Sequence, residues 1–330
     1  MSDRDQILRG WVTEQLGRSS VDLQPASSDA SFRRYFRVAD GARTVIVMDA
    51  PPPQEDCRPF VQIAQLLRDA GIHAPEILAQ DPGRGFLLLS DLGSQTYLDV
   101  LNTENADALF TDAMEVLCKW QLSSKVNVLP PYDRALLRRE LELFPEWYIT
   151  RHLGASLTRA DRKILDSAFR LLEDSALAQP QVYVHRDYMP RNLMLSEPNP
   201  GVLDFQDAVF GPITYDIVSL FRDAFISWDE ARVADWLAHY RERSLNAGLP
   251  LPDLDEYRRA CDWMGMQRHL KVLGIFARIN YRDGKPLYLR DTPRFVNYIR
   301  TVGARYSEFT ELLKLLDKLE RHAIETAVSP

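Results

Sequence analysis

The chain has 330 residues, 45% hydrophobic and 26% charged, a balance that fits a folded globular protein and excludes a disordered or fibrous one. That length is long for a single core and comfortable for two lobes. A net charge of −7 lacks the broad basic footprint that a nucleic-acid partner requires. The acidic amino terminus and the lack of a membrane-length apolar run lead us to expect a cytoplasmic protein without membrane association. Cys57, Cys118 and Cys261 are isolated and odd in number, which suggests neither a disulfide framework nor a structural zinc site.

Residues 5–17 carry helical spacing and lead into a polar, small-residue loop, Ser27-Ser28-Asp29-Ala30-Ser31. Phe32 to Val38 reads as a strand, Asp40-Gly41 as a tight turn, and Thr44-Val45-Ile46-Val47-Met48 as the β-branched return strand. Phe60, Ile63, Leu66 and Leu67 then place an apolar stripe on a helix over 57–70. Ile77-Leu78-Ala79 and Phe86 to Leu89 flank a Pro82-Gly83-Arg84-Gly85 turn. About five strands with one inserted helix result, an order unlike the alternating β–α pattern of a Rossmann domain. From residue 104 onward helical periodicity dominates, over Ala108 to Trp120, Leu136 to Trp147, 161–173, Val218 to Phe225, 230–243, 254–279 and 306–324. The expected class is α+β, with a small antiparallel-sheet lobe over residues 1–91 and a mainly helical lobe over 92–330.

Chemistry concentrates in Val184-His185-Arg186-Asp187-Tyr188-Met189-Pro190-Arg191-Asn192 and, shortly after, Val202-Leu203-Asp204-Phe205-Gln206. This spacing places an Asp and an Asn five residues apart on one loop and a second Asp on the next strand, the pattern of a phosphotransferase core. Phosphoryl transfer leaves little covalent work to the protein, so the site must orient an acceptor hydroxyl and neutralise the phosphates. Asp187 suits the first task as a carboxylate that aligns the hydroxyl and takes its proton. Asn192 and Asp204 offer the hard oxygens that Mg²⁺ prefers. ATP and Mg²⁺ are therefore the expected cofactors.

The stretch from Tyr183 to Leu220, including Gly211-Pro212-Ile213-Thr214-Tyr215-Asp216, resembles the Brenner-type motif of the aminoglycoside phosphotransferase and choline kinase superfamily. Protein kinases fit less well, because Asp204-Phe205-Gln206 replaces Asp-Phe-Gly and a helix follows too soon for an activation segment. The resemblance implies a bilobal protein-kinase-like fold, a small-molecule acceptor, and Asp216 as a brace for the catalytic loop. It also implies a hinge over Leu89 to Leu92, with Ser90 and Leu92 offering backbone hydrogen bonds to adenine, and a phosphate-covering loop around Ser31. Met48 stands where most relatives have a phosphate-binding Lys, and the next helix offers Gln62 and Gln65 but no interior Glu to pair with one. Arg33 and Arg34 are the nearest substitute cations for the phosphates.

Asp29 to Tyr35, Glu140 to Trp147 and Gln267 to Lys285 are together similar to bacterial anomeric kinases of the cell-wall amino sugars N-acetylmuramate and N-acetylglucosamine. That similarity implies phosphorylation of a C1 hydroxyl and a small-molecule sugar partner, and leaves the oligomeric state open. Trp147, Tyr148, Trp228, Trp263, Phe276 and Tyr281 are candidate sugar-stacking surfaces, although aromatics at helical spacing more often build core. The basic residues Arg268, Lys271, Arg278 and Arg282 read as one helix face, either solvated or turned to the lactyl carboxylate of N-acetylmuramate. Glu140, Glu142 and Glu146 keep open a cationic acceptor such as an aminoglycoside or a choline-like amine, and Met48 keeps open a nucleotide-binding pseudokinase.

Overall fold

A computed structural model describes residues 3–27 and 32–328, with side chains through residue 321. The chain divides into two compact units, one of residues 1–120 with 190–208 and the other of residues 121–189 with 209–330. The first unit opens with helix α1 (Asp3–Gln15) and strands β1 (Gln24–Ser27), β2 (Arg34–Asp40) and β3 (Arg43–Asp49). Helix α2 (Arg58–Asp69) intervenes before β4 (Ile77–Asp81) and β5 (Phe86–Ser90). The strands form one antiparallel sheet in the order β1-β2-β3-β5-β4. Pairing of Asp40 with Arg43 closes β2 onto β3 through Gly41, which supplies the positive φ of a tight turn.

Alternation along β3 sends Val45 and Val47 into a core with Val38, Phe86 and Leu88, covered by Leu8, Trp11 and Val12 of α1. Each such side chain contributes roughly 1.5–3 kcal/mol when fully withdrawn from water. Gly85 is obligatory in the β4–β5 turn: its φ is +75°, and a Cβ there would strike the Ala50 carbonyl. Helix α3 (Tyr97–Val100) starts at a Thr96–Asp99 capping box, and the division between the units falls within α4 (Ala106–Leu122).

Beyond α4 the chain forms α5 (Arg134–Leu141), a π-helical segment over Phe144–His152, and α6 (Arg159–Ala178), which a Thr158–Asp161 capping box starts. Strand β6 (Gln181–Val184) follows, then the short hairpin β7 (Leu193–Met194) and β8 (Gly201–Val202), which belongs to the first unit. Strand β9 (Val209–Pro212) returns to pair antiparallel with β6. Helices α7 (Tyr215–Phe221), α8 (Glu230–Asn246), α9 (Leu254–Asp283), α10 (Thr292–Gly303) and α11 (Thr310–Val328) complete the second unit. No helix among the described residues is long and apolar enough to cross a membrane.

Helix α9 runs through the middle of the second unit, against α6, α7, α10 and the π-helical segment. It is buried on nearly every side from Tyr257 to Ile279, which corrects the expected basic face: Arg268 and Lys271 are interior residues, Arg278 is half-buried, and of the four only Arg282 is exposed. Gly274 allows the closest approach, since a Cβ there would meet the Leu143 backbone. Strand β1 and helix α10 are among the elements that were not read from the sequence. Strand β1, Gln-Pro-Ala-Ser, has no β-branched residue and is held by pairing with β2. Helix α10 begins at Thr292-Pro293 after a run rich in charge and Pro, and its apolar stripe becomes evident only against α9.

Candidate active site

In the second unit β6 delivers the chain to His185, Arg186 and Asp187. Arg186 adopts φ +75°, a left-handed conformation that a side chain makes costly, so neighbouring groups must hold it. Asp216 on the first turn of α7 does so. Its Oδ2 accepts the His185 N–H at 2.7 Å and its Oδ1 the Arg186 N–H at 3.0 Å. Asp187, half-buried, follows directly and donates its own N–H to His185 Nδ1 at 3.3 Å. Complete burial pushes the Asp216 carboxyl up to about 7, against the pull of those two N–H donors and of Arg268.

The Arg186 side chain is fixed from the other direction. Its guanidinium pairs with Glu140 at 2.5 Å and lies over the Tyr132 ring. Lys271 of α9 reaches the same Glu140 oxygen at 2.9 Å and donates to the Tyr215 hydroxyl at 2.9 Å, while Tyr132 donates to the other Glu140 oxygen. Burial raises the Glu140 carboxyl, but Lys271 and Arg186 outweigh it and bring it down to about 2. This buried network joins α5, the catalytic loop, α7 and α9. Sequence reading found only its members' charges, because residues 140, 186, 215 and 271 meet through tertiary packing alone.

In the first unit Asn192 and Asp204 come together, Asn192 Nδ2 lying 3.3 Å from Asp204 Oδ2, and the Leu203 N–H bonds the Asn192 carbonyl at 2.9 Å. Asp204 has φ +61°, a second left-handed residue, and its Oδ1 accepts from Gln206 Nε2 at 2.8 Å. Asn192 and Asp204 supply a hard-oxygen donor pair of the kind Mg²⁺ takes alongside substrate phosphates, so these residues fit the ion. No group of three His, Cys, Asp or Glu side chains among the described residues offers a competing metal cage.

The nucleotide candidates fare unevenly. Ser31, with the loop from Ser28, lies outside the described residues. Met48 is fully buried, and the adjacent Asp49 on the opposite face of β3 is clamped by Arg4 at 2.5 Å and by Arg34, which also pairs with Asp5 at 2.8 Å. Arg34 is thus committed to structure, and Arg33 lies 3.3 Å from Glu55. The Ser90 N–H bonds the Glu76 carbonyl at 2.9 Å, and Leu92 is buried. Between them Asp91, which the sequence did not single out, is anchored by Arg37 at 2.5 Å and Thr44 at 2.6 Å.

Among the acceptor candidates, Tyr148, Trp263 and Phe276 are core residues, Trp147 packs beside that core, Trp228 stacks edge-on against Trp236, and Tyr281 is exposed. The acidic trio forms no cage: Glu140 is neutralised as above, Glu142 pairs with Arg162, and Glu146 is exposed. Of the four basic residues, Lys271 is bound to Glu140, Arg282 to Asp283, and Arg268 lies 5.1 Å from the centre of the Tyr215 ring. Arg278 is half-buried, and burial together with the neighbouring Arg282 lowers its basicity.

Residues 22–259 match the phosphotransferase enzyme family, a span that holds Asp187, Asn192, Asp204 and Asp216. The chain belongs to that family. This phosphotransferase is 60% identical over 304 residues to the N-acetylmuramate/N-acetylglucosamine kinase of Pseudomonas aeruginosa, covering 92% of this chain and 90% of that one. It is 56% identical to the protein of the same name from Pseudomonas putida, over 97% of this chain and 98% of that one. Among solved structures, the choline kinase LicA from Streptococcus pneumoniae superposes with a TM-score of 0.66 at 14% identity, covering 91% of this chain and all (100%) of that one. The gentamicin–APH(2")-IIa complex gives a TM-score of 0.62 at 14% identity, covering 91% of this phosphotransferase and 97% of that chain. These neighbours carry the protein-kinase-like fold, with its antiparallel amino-terminal sheet and helical carboxy-terminal part, as expected from the sequence.

Proposed function

We propose that this phosphotransferase uses ATP and Mg²⁺ to phosphorylate the anomeric C1 hydroxyl of N-acetylmuramate and N-acetylglucosamine in the cytoplasm. The observation that carries the reading is 60% identity, over 92% of the chain, to a kinase named for those two sugars. The site chemistry agrees. Asp187 aligns the C1 hydroxyl and accepts its proton as the oxygen–phosphorus bond forms, on a loop whose backbone Asp216 holds. Asn192 and Asp204 hold the metal, which supplies charge neutralisation at the phosphates. The product, a sugar 1-phosphate, suits a following nucleotidyl transfer and so the recycling of cell-wall sugars.

Arg278 is the basic residue of α9 best suited to the lactyl carboxylate, since it is half-buried and no ion pair joins it to a described residue. A cationic acceptor is disfavoured because Glu140 and Glu142 are already paired. A pseudokinase is disfavoured by the retained Asp187, Asn192 and Asp204. The test is an acceptor panel read by ADP release, with the phosphate position assigned by NMR. Phosphate on C1 of both amino sugars, and a loss in Arg278→Ala confined to N-acetylmuramate, is expected. Turnover of an amine or aminoglycoside with neither sugar accepted overturns the assignment.

A further inference from the structure

Two buried charged side chains of the second unit each keep a polar atom without a protein partner. Asp223 lies in the loop after α7 and is 1% exposed; its Oδ1 accepts the Phe225 and Ile226 N–H groups at 2.7 and 3.1 Å, but its Oδ2 has no partner. Arg268 of α9 is 6% exposed, its Nε is without a partner, and no hydrogen bond or ion pair joins its guanidinium to any described residue. It rests instead on the Tyr215 ring. A buried carboxylate oxygen and a buried guanidinium left this way cost stability, and native proteins keep such groups when something else satisfies them.

The two residues feel each other's charge, and Arg268 also feels Asp216, yet Arg268 and Asp223 are not in contact. Asp216 has both Arg268 and Asp187 as charged neighbours, which places Arg268 in the surroundings of the candidate base. The remaining charges packed here are committed: Lys271 to Glu140 and Tyr215, and Arg222 to Asp262 and Glu230. Asp223 can only accept while ionised, and Arg268 can only donate. A ligand that satisfies both must present a donor and an acceptor side by side, as a sugar ring does with a hydroxyl and a neighbouring oxygen.

The geometry points to Asp223 and Arg268 as the pair that grips the neutral part of the acceptor sugar, Asp223 Oδ2 accepting a ring hydroxyl and the Arg268 guanidinium donating to an oxygen of the same sugar. This rests on the amino-sugar reading above. Because one member is an anion and the other a cation, the pair is neutral, and a lactyl carboxylate placed there would meet the Asp223 charge. The pair therefore reads the ring that both sugars share, and discrimination between them lies elsewhere.

The experiment compares the parent, Asp223→Asn and Arg268→Met on both sugars. Asp223→Asn retains an oxygen for the Phe225 and Ile226 N–H groups and puts a donor where the acceptor was. Each variant should raise KM for N-acetylglucosamine and for N-acetylmuramate by roughly ten- to a hundredfold, the two sugars within about threefold of each other, with KM for ATP unchanged. A change confined to N-acetylmuramate would mean that Arg268 reads the carboxylate, and unchanged sugar KM in both variants would mean that only water lies between the pair; either overturns the proposal. If a variant fails to fold, hydrogen exchange in the parent decides: N-acetylglucosamine should slow the Phe225 and Ile226 amides, and no slowing rejects the contact. Parent turnover of neither sugar is a separate result, which removes the functional reading and this inference with it.

Discussion

Asp187, Asp216 and Asp49 are carboxylates of one residue type put to different uses, and their surroundings tell them apart. Asp187→Asn keeps the shape of the loop but removes the proposed base, so kcat should fall by about two to four orders of magnitude while ATP binding, measured by titration calorimetry, persists. Asp216→Asn presents an amide to one of the two N–H groups it now accepts, loosening the loop ahead of Asp187, and kcat should drop with KM for ATP little changed. Its titration adds a signature. Folding raises this carboxyl from near 3.9 to about 7, so its contribution to stability is complete below about pH 4 and is lost as pH rises through about 7. In Asp216→Asn that fall of the urea midpoint between about pH 4 and 7 should vanish, and its persistence would assign the slope to another group. Asp49 has no chemistry to perform: it is the buried anion that Arg4 and Arg34 neutralise. Arg34→Ala should cost about 1–2 kcal/mol in unfolding free energy, discounted because Arg34 is partly exposed and Arg4 remains, and should leave KM for ATP within twofold. Met48→Lys would bury an ammonium with no carboxylate on its face of β3, so it should lower the melting temperature without improving ATP use. The Asp187, Asn192 and Asp204 pattern was legible in sequence because the chemistry constrains residue type and spacing within one short stretch. The commitment of Arg34 was not, since Asp49 meets it across the β2–β3 pairing and Asp5 through packing of α1 on the sheet.

At the scale of elements, Glu140 acts as the junction of α5, the catalytic loop and α9. Replacing it by Gln removes the anion shared by Arg186 and Lys271 and leaves two buried cations facing each other, a change of about 3–5 kcal/mol. Its pH dependence opposes that of Asp216. The Glu140 carboxyl is held at about 2, below the ordinary value near 4.3, so the stability it provides is present above that ordinary value and lost as pH falls through about 2. Denaturation of the parent between about pH 4 and 2 should therefore steepen relative to Glu140→Gln, and parallel curves would show that the network is not linked to folding through this proton. The helices with strong apolar stripes, such as α2 and α6, could be read from sequence, and the β2–β3 hairpin from its Asp40-Gly41 turn. Helix α9 was found but misjudged: Arg268 and Lys271 look like a solvated face when Glu140, Tyr215 and Asp223 are absent from view, because a one-dimensional pattern does not show which other helices surround an element.

For the molecule as a whole, the proposed metal-side and sugar-side residues fall in different compact units. Arg33, Arg34, Ser90 and Leu92 share the first unit with Asn192 and Asp204, because the stretch 190–208 is counted with residues 1–120, whereas Asp187, Asp223 and Arg268 lie in the second. A boundary drawn along the chain after residue 91 would put Asn192 and Asp204 with Asp187; contacts such as the Val202 N–H to the His73 carbonyl at 2.8 Å and the Leu195 N–H to the Gln95 carbonyl at 2.9 Å are what group the β7–β8 hairpin with the first unit. Sequence order could not reveal this, since the chain crosses between units more than once. A non-hydrolysable ATP analogue with Mg²⁺ should accordingly slow hydrogen exchange first in the β7–β8 hairpin and at the Leu203 amide, while N-acetylglucosamine should slow exchange in the second unit at Phe225 and Ile226. At a hundredfold excess over Kd, either ligand stabilises the state that binds it by about 2.7 kcal/mol, enough to read clearly. Asp204→Ala should abolish the nucleotide-induced slowing and leave the sugar-induced slowing in place, because it removes the proposed metal ligand from one unit without touching the other. Loss of both responses in Asp204→Ala would mean that the sugar binds only after the nucleotide, and slowing by the ATP analogue confined to the second unit would show that the residues are not sorted in this way.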